Sequence, residues 1–436
     1  MRALLSFDQA PPLAAPLRFF LTAPLFSALA GLLLLLAGPQ ILVSRWTPGT
    51  LALTHLITAG FMLQVMLGAL IQILPVVAGA NLKHPLLVAS LVHGTITPGA
   101  LLLCAAFLLS DPLAFEVAAL LLAAGVGVFL LAAGRALYAV PTTSPTSRGL
   151  RLALPGLAIS VALGVLLAGA RAGSLPPPQA TPLHVAWGLI GWGVVLLAAV
   201  ALVVVPMFQM TPPYPESFAR FFPLALLGML AVWSLAESVS GGALATALSA
   251  APVGGVAVFA ALTLDLQKHS QRARMDATQH YWRWAMICAL AASALVLAAN
   301  VVPTIGERRE WPVICGTLVL FGGFVAVMTG MLYKIVPFLI WLNLQNLGQG
   351  RILAPTMNRV ITAKSVNRQT IAHFAALALL LAASAAPEWL ARPAGLAVLV
   401  ASGWLMLNLL RATSFHRQHV RRIQSLVANC AAQSGQ

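Results

Sequence analysis

The chain has 436 residues, 60% of them hydrophobic and only 8% charged, against roughly 45–50% and about 25% in a soluble domain. Such a chain cannot cover itself with polar surface, so its solvent is the lipid bilayer and a soluble catalytic domain is excluded. The formal charge of +15 comes from 25 Lys and Arg scattered singly through short connections. With no basic stripe and no interleaved aromatics, these cations read as topology signals, and nucleic acid is not an expected partner.

The first apolar run follows eighteen polar-to-mixed residues and continues for about 20 residues, too long for a signal-peptide core. It is read as a retained first helix. Runs long enough to cross a membrane lie at 19–37, 50–77, 85–109, 113–138, 151–170, 181–209, 218–238, 242–264, 281–302, 311–342, 366–386 and 390–410. The sequence therefore predicts an all-α polytopic membrane protein, a single domain of twelve transmembrane helices over 1–436. Nineteen Lys and Arg fall in the segments on the N-terminal side of the membrane and five (Arg45, Arg171, Arg308, Arg309 and Arg392) on the other, with Lys334 inside a span. This asymmetry places both termini in the cytoplasm, as in a bacterial inner-membrane protein. Four cysteines, Cys104, Cys288, Cys315 and Cys430, show no CxxC spacing, and no disulfide is expected.

An internal repeat organises the spans. The second, sixth and tenth carry ILPVV, VVPMF and IVPFL near their ends, and Pro75, Pro206 and Pro337 are spaced by 131 and 131 residues. Gly60, Gly191 and Gly322 each precede their proline by 15 residues, and Gly68, Ala199 and Gly330 each by 7. Because 131 residues contain four spans, the expected repeats are parallel four-helix units, approximately 1–145, 146–276 and 277–436. Small residues at matched depths permit close helix approach.

Four helices three times over, with a histidine near the start of the second and sixth, resembles the core subunit of the haem-copper oxidase superfamily. The relevant segments are THLITAGFMLQVMLGALIQILP, with His55, and LHVAWGLIGWGVVLLAAVALVVVP, with His184. The resemblance looks nearest to stand-alone members lacking the oxidase signature. It implies haem as a cofactor, with His55 as an axial ligand, and a redox partner or a respiratory complex. The departures are large. Residues 218–238 lack the family's histidine pair, 311–342 lack its two haem histidines, and the cross-linked tyrosine is absent because Gly188 stands four residues after His184. A copper site built on one histidine is under-ligated, so copper and the reduction of oxygen or nitric oxide are not expected.

Each candidate has two readings. An imidazole in hydrocarbon needs a partner, which for His55, about five residues into its span and so ~7 Å deep, is haem iron or a capping hydrogen bond. His184, beside Trp187, occupies the family's copper-ligand position or makes an interfacial hydrogen bond. Cys315 shares the offset of His184 from its proline, 22 residues, so the two are candidates for a soft-metal pair, against buried Cys as a small hydrophobe. His93 and His373 lie at similar depth and are cofactor or proton-relay candidates, or interhelical hydrogen-bonding groups. Lys334 is expected to snorkel to the cytoplasmic surface or to mark a proton entry. Gln64 and Gln72 share a helix face, and Glu237 belongs to a solvated rim. The sequence thus supports a haem-binding redox or sensor protein. The alternatives are a permease for a small molecule or metal and a non-catalytic subunit.

Overall fold

In a chain whose lipid-facing backbone has no water to bond, each crossing segment satisfies its own amides as a helix. The computed structural model describes residues 7–141, 144–176, 179–239, 241–348 and 352–434, with side chains from 8 to 426 in those stretches, so the side chain of Cys430 lies outside the described residues. Twelve helices are long and apolar enough to cross a membrane: α1 Ala14–Val43, α2 Pro48–Ala78, α3 Pro85–Leu109, α4 Pro112–Tyr138, α5 Pro145–Ala172, α6 Thr181–Gln209, α7 Glu216–Val239, α8 Gly242–Lys268, α9 Ala277–Val301, α10 Trp311–Leu347, α11 Ala363–Ala385 and α12 Pro387–Leu426. No strand occurs among the described residues.

Local chemistry sets the starts. Thr47, Asp111, Ser144 and Asp276 each accept a backbone amide three residues on, capping α2, α4, α5 and α9. Proline fills the first turn of α2, α3, α4, α5, α6 and α10, where its missing amide costs nothing. Two helices outrun their apolar segments. α10 runs ten residues past Pro337, its end tied down by His416 Nε2 to Asn343 Oδ1 at 2.8 Å and by the Ala354 amide donating to Gln345 Oε1 at 3.2 Å. α12 runs on through Arg411, Arg417, Arg421 and Arg422.

Consecutive helices pack on one another, and α12 returns to α1. That closure is a backbone-to-backbone approach: a Cβ on Gly31 would strike the Leu399 amide and the Gly395 carbonyl, and one on Gly395 would strike Leu35. Ser27 and Ser402 share a 2.7 Å hydrogen bond across the same seam. Inside the ring stand α2, α6 and α10, with 78%, 61% and 61% of their most apolar stretches buried against 22–56% for the others. They touch pairwise: His55 faces His184, Phe324 lies under Gly193, and the middle of α2 packs on the middle of α10.

The glycine register has a structural counterpart. A Cβ on Gly60 would overlap the Phe26 ring of α1, one on Gly322 would sit 2.7 Å from Cys288 Sγ of α9, and one on Gly156 of α5 would run into the Gly191 carbonyl. Phe26 and Cys288 are 262 residues apart, twice the proline spacing, and Gly156 is one residue from their midpoint. The second tier behaves alike, with Gly68 against Phe19, Ala199 against Gly149, and Gly330 against Tyr281. Each inner helix also widens into a π-helical stretch at the first tier: Leu56–Met62, Trp187–Val194 and Thr317–Val325, beginning 19 or 20 residues before the proline. Nothing in composition predicts this widening. It adds a residue to the turn where the repeated glycine lets the neighbouring helix in.

Lys334 reaches toward the face with the chain ends, where it meets the cap of α9. Its Nζ pairs with Asp276 Oδ2 at 2.7 Å, and Arg272 Nη1 pairs with the same oxygen at 2.7 Å. Burial raises the Asp276 pKa, but the Lys334 hydrogen bond, the Gln279 amide and the Arg272 charge outweigh it, and the carboxyl stands below its ordinary value.

Two outcomes follow from this packing. Gly60→Ala lowers the detergent-solubilised unfolding temperature, by an overpacking cost of ~1–3 kcal/mol. Gly127→Ala, where a Cβ meets nothing within 4 Å, leaves it unchanged. Because the folded pKa of Asp276 is depressed, its stabilisation is complete above the ordinary value of 3.8 and is lost as pH falls through the folded value. Asp276→Asn therefore lowers stability at neutral pH, and the difference from wild type shrinks on acidification. A constant difference across a pH titration of the melting point contradicts this.

Candidate functional site

The inner helices bring His55 and His184 together. The rings come from α2 and α6, near the membrane face opposite the chain ends, with centroids 6.4 Å apart and planes 18° from parallel. Both rings are half-buried. His55 Nδ1 bonds the Leu51 carbonyl at 2.8 Å, one turn earlier on its own helix, and His184 Nδ1 bonds the Ser160 carbonyl of α5 at 2.9 Å. A carbonyl only accepts, so each Nδ1 must carry the proton, which leaves a lone pair on each Nε2. Neither Nε2 makes a hydrogen bond among the described residues. This is the arrangement in which a histidine is pre-set as a ligand: one nitrogen oriented by a carbonyl, the other uncommitted.

The surroundings fix the pair further. Phe107 of α3 lies against the His55 ring at 5.0 Å and is itself held edge-on by Phe115 at 5.0 Å. Gly164 of α5 leaves room for His184, since a Cβ there would stand 3.1 Å from the ring's Cε1. Trp187 donates to Ser234 Oγ of α7 at 3.0 Å, and Glu237, one turn beyond Ser234, is half-buried at the same rim.

The other candidates separate from this pair. Cys315 is buried, and no hydrogen bond joins it to His184 among the described residues. His93 sits between α3 and α1, bonding Thr22 Oγ1 at 2.8 Å and standing edge-on to Phe19 at 5.3 Å. His373 is buried between α9, α10 and α11, stacked on Phe321 at 4.5 Å and edge-on to Tyr281 at 5.1 Å, its Nε2 without a partner. The two thus dock on Phe19 and Tyr281, which are 262 residues apart, in separate parts of the bundle. Gln64 donates to Thr97 at 2.8 Å. Gln72 lines an apolar cleft of about 80 Å³ between α2, α6 and α10 at the level of the prolines, with Thr146, Val203 and Phe338 among its walls. Among the described residues, no three His, Cys, Asp or Glu side chains gather as a metal site.

Sequence reasoning missed the parts that orient the histidines. The Ser160 acceptor is a backbone carbonyl, which any residue type supplies, and Phe107 is one apolar residue among many. Asp276 carried a readable signal, being the one acid in a run of cations from Lys268 to Arg283.

Beside His373, Tyr281 donates to Gln369 Oε1 at 2.6 Å, and Gln369 Nε2 donates to the Ala401 carbonyl at 3.1 Å, all buried. Tyr281→Phe strands the Gln369 oxygen and lowers stability by ~1–3 kcal/mol, read as a fall in unfolding temperature. Tyr281→Phe with Gln369→Leu recovers part of that loss. No protein-family model matches the chain, and no curated protein is similar to it.

Proposed function

We propose that this is a membrane haem-binding protein in which His55 is a ligand of the haem iron that the resemblance to the haem-copper oxidase core subunit implies, and in which His184, at the family's copper-ligand position, instead faces His55 as a second ligand of the same centre. The observation that carries the reading is the matched state of the two rings: each Nδ1 donates to a backbone carbonyl, each Nε2 has no hydrogen-bond partner among the described residues, and the centroids are 6.4 Å apart. Two neutral imidazoles would suit iron, each offering its Nε2 lone pair. Bound iron supplies one-electron transfer or the sensing of a small gas. The protein's part is orientation: the Leu51 and Ser160 carbonyls fix both tautomers, and Phe107 packs against the His55 ring.

Further parts of the proposal rest on the sequence. The matched contacts around Gly60, Gly191 and Gly322 support three parallel repeats related by rotation about the membrane normal. The distribution of Lys and Arg supports a bacterial inner-membrane location with both termini cytoplasmic. The lack of histidine in 218–238 and 311–342 argues against a binuclear oxygen-reducing centre, so the role is that of a redox or sensor protein with a redox partner. A second reading, a permease, draws on the apolar cleft between α2, α6 and α10.

Purified protein is expected to carry haem in stoichiometric amount with a low-spin spectrum. His55→Ala and His184→Ala each abolish that spectrum while the protein stays inserted and monodisperse. Gly164→Val keeps both histidines but pushes the His184 ring, and weakens binding at least tenfold. A colourless wild type that takes up neither haem nor a transition metal contradicts the proposal and leaves the permease as the better reading.

A further inference from the structure

Away from the histidines, the connections α1–α2 and α9–α10 meet at the membrane face opposite the chain ends and form an open cleft of about 430 Å³, its arginines exposed. That volume lies within the ~300–1,000 Å³ of small-ligand sites. Its walls include Arg45 and Trp46 from one connection and Glu307, Arg308, Arg309 and Trp311 from the other. Thus three of the five cations that the sequence assigns to this face converge on one concavity.

Their state matters more than their number. Among the described residues, ion pairs involve Lys268, Arg272 and Lys334 alone. Glu307 lines the cleft without closing on any of the three guanidinium groups, and none of those groups donates a side-chain hydrogen bond among the described residues. Arg45 is steadied from one side, its Cζ lying 4.8 Å from the Trp46 ring centroid, a contact that leaves the N–H edge of the fork free. The first turn of α10 begins at Trp311, inside the cleft, so the positive end of a 37-residue helix adds to the guanidinium charge. Two indoles flanking a basic cleft at a helix end are the composition of the headgroup layer.

We propose that this cleft binds a phosphate group, gripped by Arg45, Arg308 and Arg309 through charge-assisted forked hydrogen bonds. The phosphate comes from an anionic phospholipid headgroup or from a soluble phosphate in the compartment on that side. The site does not depend on metal at His55 and His184.

The test uses the full chain, purified in detergent, with two probes. Native mass spectrometry follows retention of short-chain phosphatidylglycerol, and equilibrium dialysis follows labelled inorganic phosphate. The variant Arg45→Gln, Arg308→Gln, Arg309→Gln is compared with wild type and with Arg171→Gln, a cation of the same face outside the cleft. Wild type and Arg171→Gln are expected to bind at least tenfold more tightly than the triple variant. Phosphatidylglycerol alone as the sensitive probe identifies the lipid headgroup, and phosphate alone the soluble source. If the triple variant is not monodisperse, the three single substitutions decide, each expected to weaken binding at least threefold. Binding of neither probe, or equal binding by wild type and the charge-removed variants, overturns the proposal.

Discussion

The architecture depends on how closely helix backbones approach at a few glycine positions. Between helices in lipid there is no hydrophobic drive to bring apolar surfaces together, so packing contacts and interhelical hydrogen bonds supply the cohesion. Those contacts are densest where side chains are absent: Gly156 against the Gly191 carbonyl, Gly31 against the backbone of Gly395 and Leu399, Gly60 against the Phe26 ring. The first and last set an inner helix against a ring helix, and the middle one closes the ring. With these seams shut, α2, α6 and α10 become the three most buried of the twelve spans.

Polar chemistry is then distributed by depth. Toward the face with the chain ends, Asp276 ties the start of α9 to Lys334 of α10, and Asn408 of α12 bonds the Tyr333 hydroxyl at 2.9 Å. Such groups would be costly alone in hydrocarbon, and each has found a partner. Toward the other face the inner helices present His55 and His184, with their proton-bearing nitrogens occupied and their lone pairs uncommitted. The contrast separates polar groups whose bonding is complete from two histidines that keep a lone pair without a partner among the described residues. His373 falls between these cases, its ring enclosed by Phe321 and Tyr281 and one nitrogen unpartnered.

Much of this was legible in the residues because it rests on period and spacing. All twelve spans are legible in the sequence, since length and hydropathy decide them, with every end but that of α12 within six residues of the helix, and the equal intervals between Pro75, Pro206 and Pro337 point to the three central helices. The ends of α10 and α12 were read short because their last turns are polar, and polarity alone does not stop a helix whose end is tied by Asn343 or carried on by helix-forming residues. The π-helical stretches were not legible, because widening a turn depends on what the neighbour presents, and that neighbour is 34 or 35 residues away in sequence for Gly60, Gly191 and Gly322. The sequence singles out His55 by itself and joins His184 to Cys315, not to His55. The meeting of His55 and His184 depends on the relative rotation of two helices 129 residues apart, which no local pattern encodes.

Everything at this site depends on α2 and α6 turning His55 and His184 toward each other in the membrane. Cross-linking in native membranes reads this directly, in a chain whose own cysteines are replaced by serine. The pair His55→Cys with His184→Cys is treated with a short thiol-specific bifunctional reagent, beside His55→Cys with His373→Cys as the comparison. An intramolecular cross-link in high yield for the first pair and none for the second is the predicted result. No cross-link in the first pair, or equal yields in both, contradicts the convergence of the inner helices.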